Sequence, residues 1–228
     1  MRWFRRPDRR SGPEGPDALR ARMVDRQIRA RGVRDRRVLE AMTRIPRHLF
    51  LPAGRRSDAY ADAALPIGRG QTISQPYIVA FMTEALEPAD GLRALEVGTG
   101  SGYQVAVLAD CGMEVWSMER LPELQRSAAE ALRGAGIGDR VHLRLGDGSK
   151  GWPEEAPFDR ILVTAAAPAV PRALLDQLAS PGILVAPVGG PALQRILRVR
   201  RDAQGRLSEQ PLEGARFVPL VVDEEGAG

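Results

Sequence analysis

Cysteine occurs once in the chain, at Cys111, and histidine twice, at His48 and His142. A single thiol excludes an internal disulfide and any cysteine-based metal site. Two distant histidines without a neighbouring acidic cluster leave little for zinc, so no metal is expected. Cys111 closes an apolar helical stretch and reads as a packed small residue rather than a nucleophile, since neither histidine shares its motif. This cysteine usage points to a reducing, cytoplasmic setting. Long apolar runs are missing as well. No stretch approaches the ~18 residues of a membrane span, and the charges of Met1 to Arg10 have no apolar segment behind them, so neither an anchor nor a secretory signal is expected. Aromatic residues make up 5% of the chain, and lysine is almost absent, 32 of the 33 basic residues being arginine.

What remains is a chain of 228 residues, 43% hydrophobic and 27% charged, enough for one domain with a full core. Its net charge of +4 is uneven. Residues 1–47 carry fifteen arginines against six acids, a net of +9, which leaves 18 basic against 23 acidic residues, or −5, for the remainder. That basic arm lacks interleaved aromatics beyond Trp3 and Phe4 and follows the chain's preference for arginine, so a solvated surface is favoured over a nucleic-acid interface. Residues 1–16, with Pro7, Gly12, Pro13, Gly15 and Pro16, read as a disordered arginine-rich tail before a single domain spanning 17–228.

The most informative stretch is Leu92 to Gly102. A short β-type run (Ala94, Leu95, Val97) feeds glycines at alternate positions, Gly98, Gly100 and Gly102, and an apolar helical pattern starts at Tyr103. Glycine is needed where the backbone turns with positive φ or where a ligand leaves no room for a Cβ, so this loop suits a cofactor at a helix N-terminus. Dinucleotide loops space their glycines as G-x-G-x-x-G; here the spacing is G-x-G-x-G. Glu96, two residues before Gly98, would repel a pyrophosphate and attract a cation. S-adenosylmethionine has no phosphate, carries a sulfonium and ends in an ammonium group, so it fits. Glu119 comes 21 residues after Gly98, where an acid can accept both ribose hydroxyls. Asp147, flanked by Gly146 and Gly148, can reach an exocyclic adenine amine. The predicted cofactor site is therefore Glu96 and the Gly98, Thr99, Gly100, Ser101, Gly102 backbone at the amino-acid end, Glu119 at the ribose, and Asp147 with Gly148 at adenine. An NAD-dependent oxidoreductase would share Glu119 but is opposed by Glu96 and by the glycine spacing.

Around that centre, Asp17 is expected to cap a helix with Leu19, Met23, Val24 and Ile28 on one side, closed by Gly32. Asp35 starts a second helix with Val38, Leu39 and Met42 that stops before Pro46. Arg47 to Gly70 is irregular. In Gln71-Thr72-Ile73-Ser74-Gln75-Pro76, four hydrogen-bonding side chains precede an apolar helix. Capping by Ser74 or Gln75 accounts for one of them at about 1 kcal/mol, and the rest point to a binding loop. Strands follow at Val115 to Met118, Val141 to Leu145, Arg160 to Thr164 and Ile183 to Val188, with helices at Leu121 to Arg133 and Pro171 to Leu178. Two β-type runs, Gln194 to Arg201 and Ala215 to Val222, close the chain as an antiparallel pair. The pattern is an α/β, Rossmann-like, doubly wound and mostly parallel sheet with an N-terminal helical preface, and its ligand belongs at the carboxyl ends of the strands.

With these residues in view, the chain closely resembles the protein-L-isoaspartate O-methyltransferases. The similar motifs are Gln71 to Tyr77, Leu95 to Tyr103, Gly146-Asp147-Gly148 with Gly151-Trp152, Ala156 to Asp159, and Val163 to Pro168, in a likeness running from about Leu19 to Leu220. The loop around Ser74 is its most specific part. The resemblance implies an S-adenosylmethionine-dependent methyltransferase fold and a cytoplasmic repair enzyme. Such an enzyme methylates the abnormal carboxylate of L-isoaspartyl residues in damaged proteins and peptides, leaving S-adenosylhomocysteine and an ester that collapses to a succinimide. It also implies that Ser74 is catalytic, that Gln71, Thr72, Ile73, Ser74 and Arg120 help hold the cofactor, and that Thr72, Ile73, Ser74 and Gln75, with an open floor at Ala165, Ala166 and Ala167, receive the substrate. A monomer needing neither nucleic acid nor membrane is expected. A relative acting on an aspartate of one dedicated peptide is the nearer alternative, disfavoured because the short C-terminus leaves no room for a specificity domain. Residues 1–16, Arg69 and Val221 depart from the family pattern; Val221 stands where some members carry a cofactor-facing hydroxyl.

Overall fold

The computed structural model describes residues 15–138, 140–190 and 193–222. Helix α1 (Pro16–Met23) runs on through a π turn (Val24–Ile28) and a 3-10 turn (Arg29–Arg31) to Gly32. Its N-cap is Gly15, with Pro16 at the first helical position. Asp17 is thus not the cap; it sits in the first turn and pairs with Arg20 at 2.9 Å. The helix begins at Pro16, inside the expected tail, and residues 1–14 of that tail lie outside the described residues. Asp35 does cap α2 (Arg36–Arg44), its carboxylate accepting the Val38 amide at 3.1 Å. Val38, Leu39 and Met42 face the core from this helix.

The stretch expected to be irregular contains two 3-10 turns (Arg47–Phe50, Ala53–Asp58) and a strand, β1 (Leu65–Gly68). β1 pairs antiparallel with β2 (Gln71–Ile73), so half of the polar loop before Pro76 is a hairpin strand. Helix α3 (Pro76–Ala85) follows with proline at its first position, and neither Ser74 nor Gln75 caps it through a side chain.

Then come β3 (Arg93–Val97), α4 (Tyr103–Asp110), β4 (Glu114–Glu119), α5 (Pro122–Gly134), β5 (Val141–Leu145), β6 (Phe158–Val163), α6 (Arg172–Asp176), β7 (Leu178–Gly189), β8 (Gln194–Arg201) and β9 (Leu207–Ala215). These strands form one sheet ordered β5-β4-β3-β6-β7-β8-β9. β3 to β7 are parallel neighbours; β8 and β9 run antiparallel at one end. The parallel strands are apolar on both faces because helices cover both. Ala94, Val115 and Leu162 face the layer that holds α3, α4 and the preface, while Leu95, Trp116 and Ile161 face the layer that holds α6.

The terminal pair corrects an expectation. Its second strand is Leu207–Ala215, not Ala215 to Val222. β9 is an edge strand, mostly solvent-exposed, with Glu209, Pro211 and Glu213, so it lacks the apolar alternation that marks a half-buried strand. The apolar run after it leaves the sheet and crosses the carboxyl end of β6.

Candidate active site

The turn after β3 is held from both sides. Gly98 has φ +99°, and a Cβ there would stand 2.5 Å from the Thr164 hydroxyl oxygen. That hydroxyl, at the end of β6, donates to the Gly98 carbonyl at 2.8 Å, with the Val97 carbonyl at 3.0 Å. From the other side, Glu119 at the end of β4 accepts the Gly100 amide at 2.8 Å on Oε2, and the Arg120 and Leu121 amides at 2.9 and 3.0 Å on Oε1. Glu119 lines a cleft with Val97, Gly98, Gly100, Met118, Arg120, Gly148 and Ala165. Three backbone bonds leave one oxygen lone pair of Glu119 uncommitted, so a second ribose hydroxyl must share with, or displace, the Gly100 amide.

Glu96 lies beneath the loop rather than in the cleft, and Asp147 sits at a turn beside it. Strand alternation turns Glu96 away from the cleft that Val97 lines. Its carboxyl is fully buried beneath the loop, accepts the Ser117 hydroxyl at 2.6 Å and is pushed up to about 8 by burial, with Ser117 opposing and Glu119 adding to the shift. Ser117 in turn meets the Thr99 hydroxyl at 2.6 Å, so this chain of polar groups braces the loop from below. Asp147 caps the turn Gly148–Lys150, accepting the Ser149 amide and hydroxyl at 2.9 and 2.7 Å. Its neighbour Gly148 lines the cleft, and a Cβ there would come 2.5 Å from Val97 Cγ1. Packing against Val97 therefore requires glycine here, and it leaves bare backbone along the cleft.

The cleft continues past Thr72, Gly98, Gly100 and Thr164 into a hollow lined by Ile73, Ser74, Thr99, Ser101 and Gln104. This hollow opens over Ser74 and Ile78 into an outer groove of about 300 Å³ lined by Arg31, Gln75, Glu213 and Phe217. Gln71, Thr72, Ile73 and Ser74 are thus brought together with the glycine loop. The Ser74 hydroxyl bonds to none of the described residues, while the Ser74 carbonyl accepts from Arg47. Gln75 has a structural partner, donating to the Asp62 carboxylate at 2.7 Å. Tyr103, whose phenol burial pushes up to about 12, is the one titratable side chain among the described residues that line the inner hollow.

The alanine floor is not open. Ala165 faces the cleft, but Ala166 pairs with the C-terminal arm, its amide donating to the Val218 carbonyl at 2.8 Å and its carbonyl accepting the Leu220 amide at 2.7 Å. Ala167 bonds to Pro187 and Gly189 of β7. The small side chains admit this close backbone approach. Val218, Pro219, Leu220 and Val221 wall the cleft as a result. Sequence reading missed this arm by taking it for a strand. It also missed Thr164, although a hydroxyl directly after a strand end is the signal that would have found it.

Among the described residues no group of three metal-ligating side chains occurs, and no helix is long and apolar enough to cross a membrane. A family model for protein-L-isoaspartate(D-aspartate) O-methyltransferase matches residues 19–225. The protein-L-isoaspartate O-methyltransferase of Methanoregula boonei is 53% identical over 202 residues, covering 89% of this chain and 92% of its own. That of Methylorubrum populi is 51% identical over 212 residues, covering 93% and 99%. A solved structure named protein-L-isoaspartate O-methyltransferase matches with a TM-score of 0.79 at 28% identity over 88% of this chain, which spans 65% of that structure's length. A Plasmodium falciparum structure described as a putative protein-L-isoaspartate O-methyltransferase in complex with S-adenosyl-L-homocysteine matches the fold at a TM-score of 0.76 and 24% identity, over 92% and 99% of the two chains. The chain belongs to the protein-L-isoaspartate(D-aspartate) O-methyltransferase family.

Proposed function

We infer that this protein transfers the methyl group of S-adenosylmethionine to the free carboxylate of L-isoaspartyl residues in damaged proteins and peptides. The ester so formed closes to a succinimide, which starts repair. The observation that carries the reading, beside family membership, is that the cleft at Glu119 and Gly98, the hollow at Ser74 and the outer groove are neighbours sharing Thr72 and Thr164 as walls. The bound cofactor supplies an electrophilic methyl group on a sulfonium. Gly98, Gly100 and Gly148 present backbone to it, Glu119 accepts from its ribose, and the arm Val218 to Val221 covers it. Glu96 acts through the loop rather than on the cofactor.

The inner hollow holds no group that titrates near neutrality, and the reaction needs none. A carboxylate with a pKa near ~4 is already ionised at pH 7, so a general base would add little. Orientation supplies the acceleration, of which roughly 7–11 kcal/mol is available in well-aligned reactions. Ser74 donates its hydroxyl to one carboxylate oxygen and leaves the other to attack. An isoaspartyl residue carries its free carboxylate directly on the α-carbon, whereas aspartate carries it beyond a methylene, so a site fixing both peptide flanks separates the two by position. The reading takes the enzyme as a monomer. A cytoplasmic setting rests on the cysteine usage.

Assays of an L-isoaspartyl peptide and its aspartyl isomer, side by side with methyl-labelled cofactor, test the reading. Methylation of the first and not the second is expected. Comparable rates on both, or activity on neither, would overturn it. Ser74→Ala should lower turnover by at least ~10-fold while S-adenosylhomocysteine affinity changes less.

A further inference from the structure

Arg47 is fully buried, and the chemistry above makes no use of its charge. Among the described residues no carboxylate pairs with it. Burial pulls its pKa down to about 10, which still leaves it cationic at neutral pH. A buried cation without a counter-ion is costly, and an apolar side chain of similar volume would fill the space at less cost. What an apolar residue cannot reproduce is the planar fork. Arg47 Nε donates to the Ala59 carbonyl at 2.8 Å, and Nη2 donates to the Ser74 carbonyl at 2.8 Å. The guanidinium lies over the ring of Tyr103, 4.9 Å from its centroid, and Tyr103 is the first residue of the helix leaving the glycine loop. One side chain thus touches the segment before the hairpin, the substrate loop and the first residue of the helix that leaves the cofactor loop.

We propose that Arg47 is a positioning residue for methyl transfer: its bond to the Ser74 carbonyl fixes that residue relative to the glycine loop and so aims the Ser74 hydroxyl at the attacked carboxylate. The proposal rests on the assignment of that hydroxyl to the substrate. The Nε and Nη2 bonds do different jobs. The first ties Arg47 into the fold; the second sets the distance between the loop that holds the acceptor and the loop that holds the donor. A displacement of about 1 Å at such a site is enough to lower a rate ~100-fold.

Arg47→Gln separates the two jobs, because its amide nitrogen stands at the level of Nε, within reach of Ala59, and falls short of Ser74. In the full chain, kcat should fall at least ~10-fold, with S-adenosylhomocysteine affinity within about threefold of wild type. Combined with Ser74→Ala, it should be no slower than the slower single variant, since both act through one hydroxyl. A folded Arg47→Gln protein with wild-type kcat, or effects that multiply in the double variant, would overturn the proposal. Should Arg47→Gln unfold, Arg47→Lys, whose ammonium reaches one carbonyl, is measured the same way; if it too fails to fold, Arg47 serves the fold and the proposal falls. Failure of the underlying reading shows separately, as a wild-type enzyme inactive on the isoaspartyl peptide or Ser74→Ala at wild-type rate, and the proposal falls with it.

Discussion

Glu119 and Gly100 are joined across the mouth of the cleft, the carboxylate at the end of one strand accepting the amide of the loop that follows its neighbour at 2.8 Å. The same carboxylate is the acceptor assigned to the ribose. Glu119→Ala therefore removes a ligand contact and a loop brace together. Loss of charge-assisted hydrogen bonds should weaken S-adenosylhomocysteine binding by roughly 1.5–3 kcal/mol, about ten- to a hundredfold, read by calorimetry. An unchanged dissociation constant would take Glu119 out of the site.

Gly98→Ala tests the other side of the loop. At φ +99° an L-residue is strained by about 1–2 kcal/mol, and the added Cβ meets the Thr164 hydroxyl. At about 2–4 °C per kcal/mol for a chain of this size, the melting temperature should drop by roughly 2–8 °C. Cofactor affinity should fall with it; a variant that melts and binds like wild type would refute the steric account.

Buried Glu96 makes stability depend on pH. Its folded pKa of about 8 lies above the ordinary value of 4.5, so the folded state holds a proton that the unfolded chain releases. The stabilisation is fully present below the unfolded pKa and is lost as pH rises through about 8. Glu96→Gln mimics the protonated group. Its melting temperature relative to wild type should rise between pH 6 and pH 9, and a constant difference would show that Glu96 does not titrate in that window.

Deleting residues 1–14 should leave turnover and melting temperature unchanged, because the family match begins at residue 19 and the first helix at Pro16. A drop of several degrees in a melting scan would mean that the segment contributes to the fold.

Local signals in the chain carried much of this architecture. The Asp35 cap, the close of the first helix at Gly32, and the bounds of β5 and β8 all stand where residue chemistry puts them. What escaped depends on partners distant in sequence. The β1–β2 hairpin is too short for a period to show. β9 is polar on an edge, whereas the arm after it is apolar because it covers the cleft, so hydrophobicity pointed to the wrong segment. The chemical type of Glu96 points to a cationic ligand, but the alternation of β3 turns it beneath the loop. Arg47 offers no signal in sequence, since only folding brings it to Ser74 and Tyr103.

The two edges of the sheet carry charge and proline: Glu209, Pro211 and Glu213 on β9, and His142 and Arg144 on β5, the latter two engaged with Glu114 and Glu154. Such edges are poor templates for another strand. On the function inferred above, the substrates are damaged proteins, and a damaged chain can expose strands. Edges that reject β-pairing disfavour a further strand adding to this sheet, so contact with such a chain is left to the active-site face.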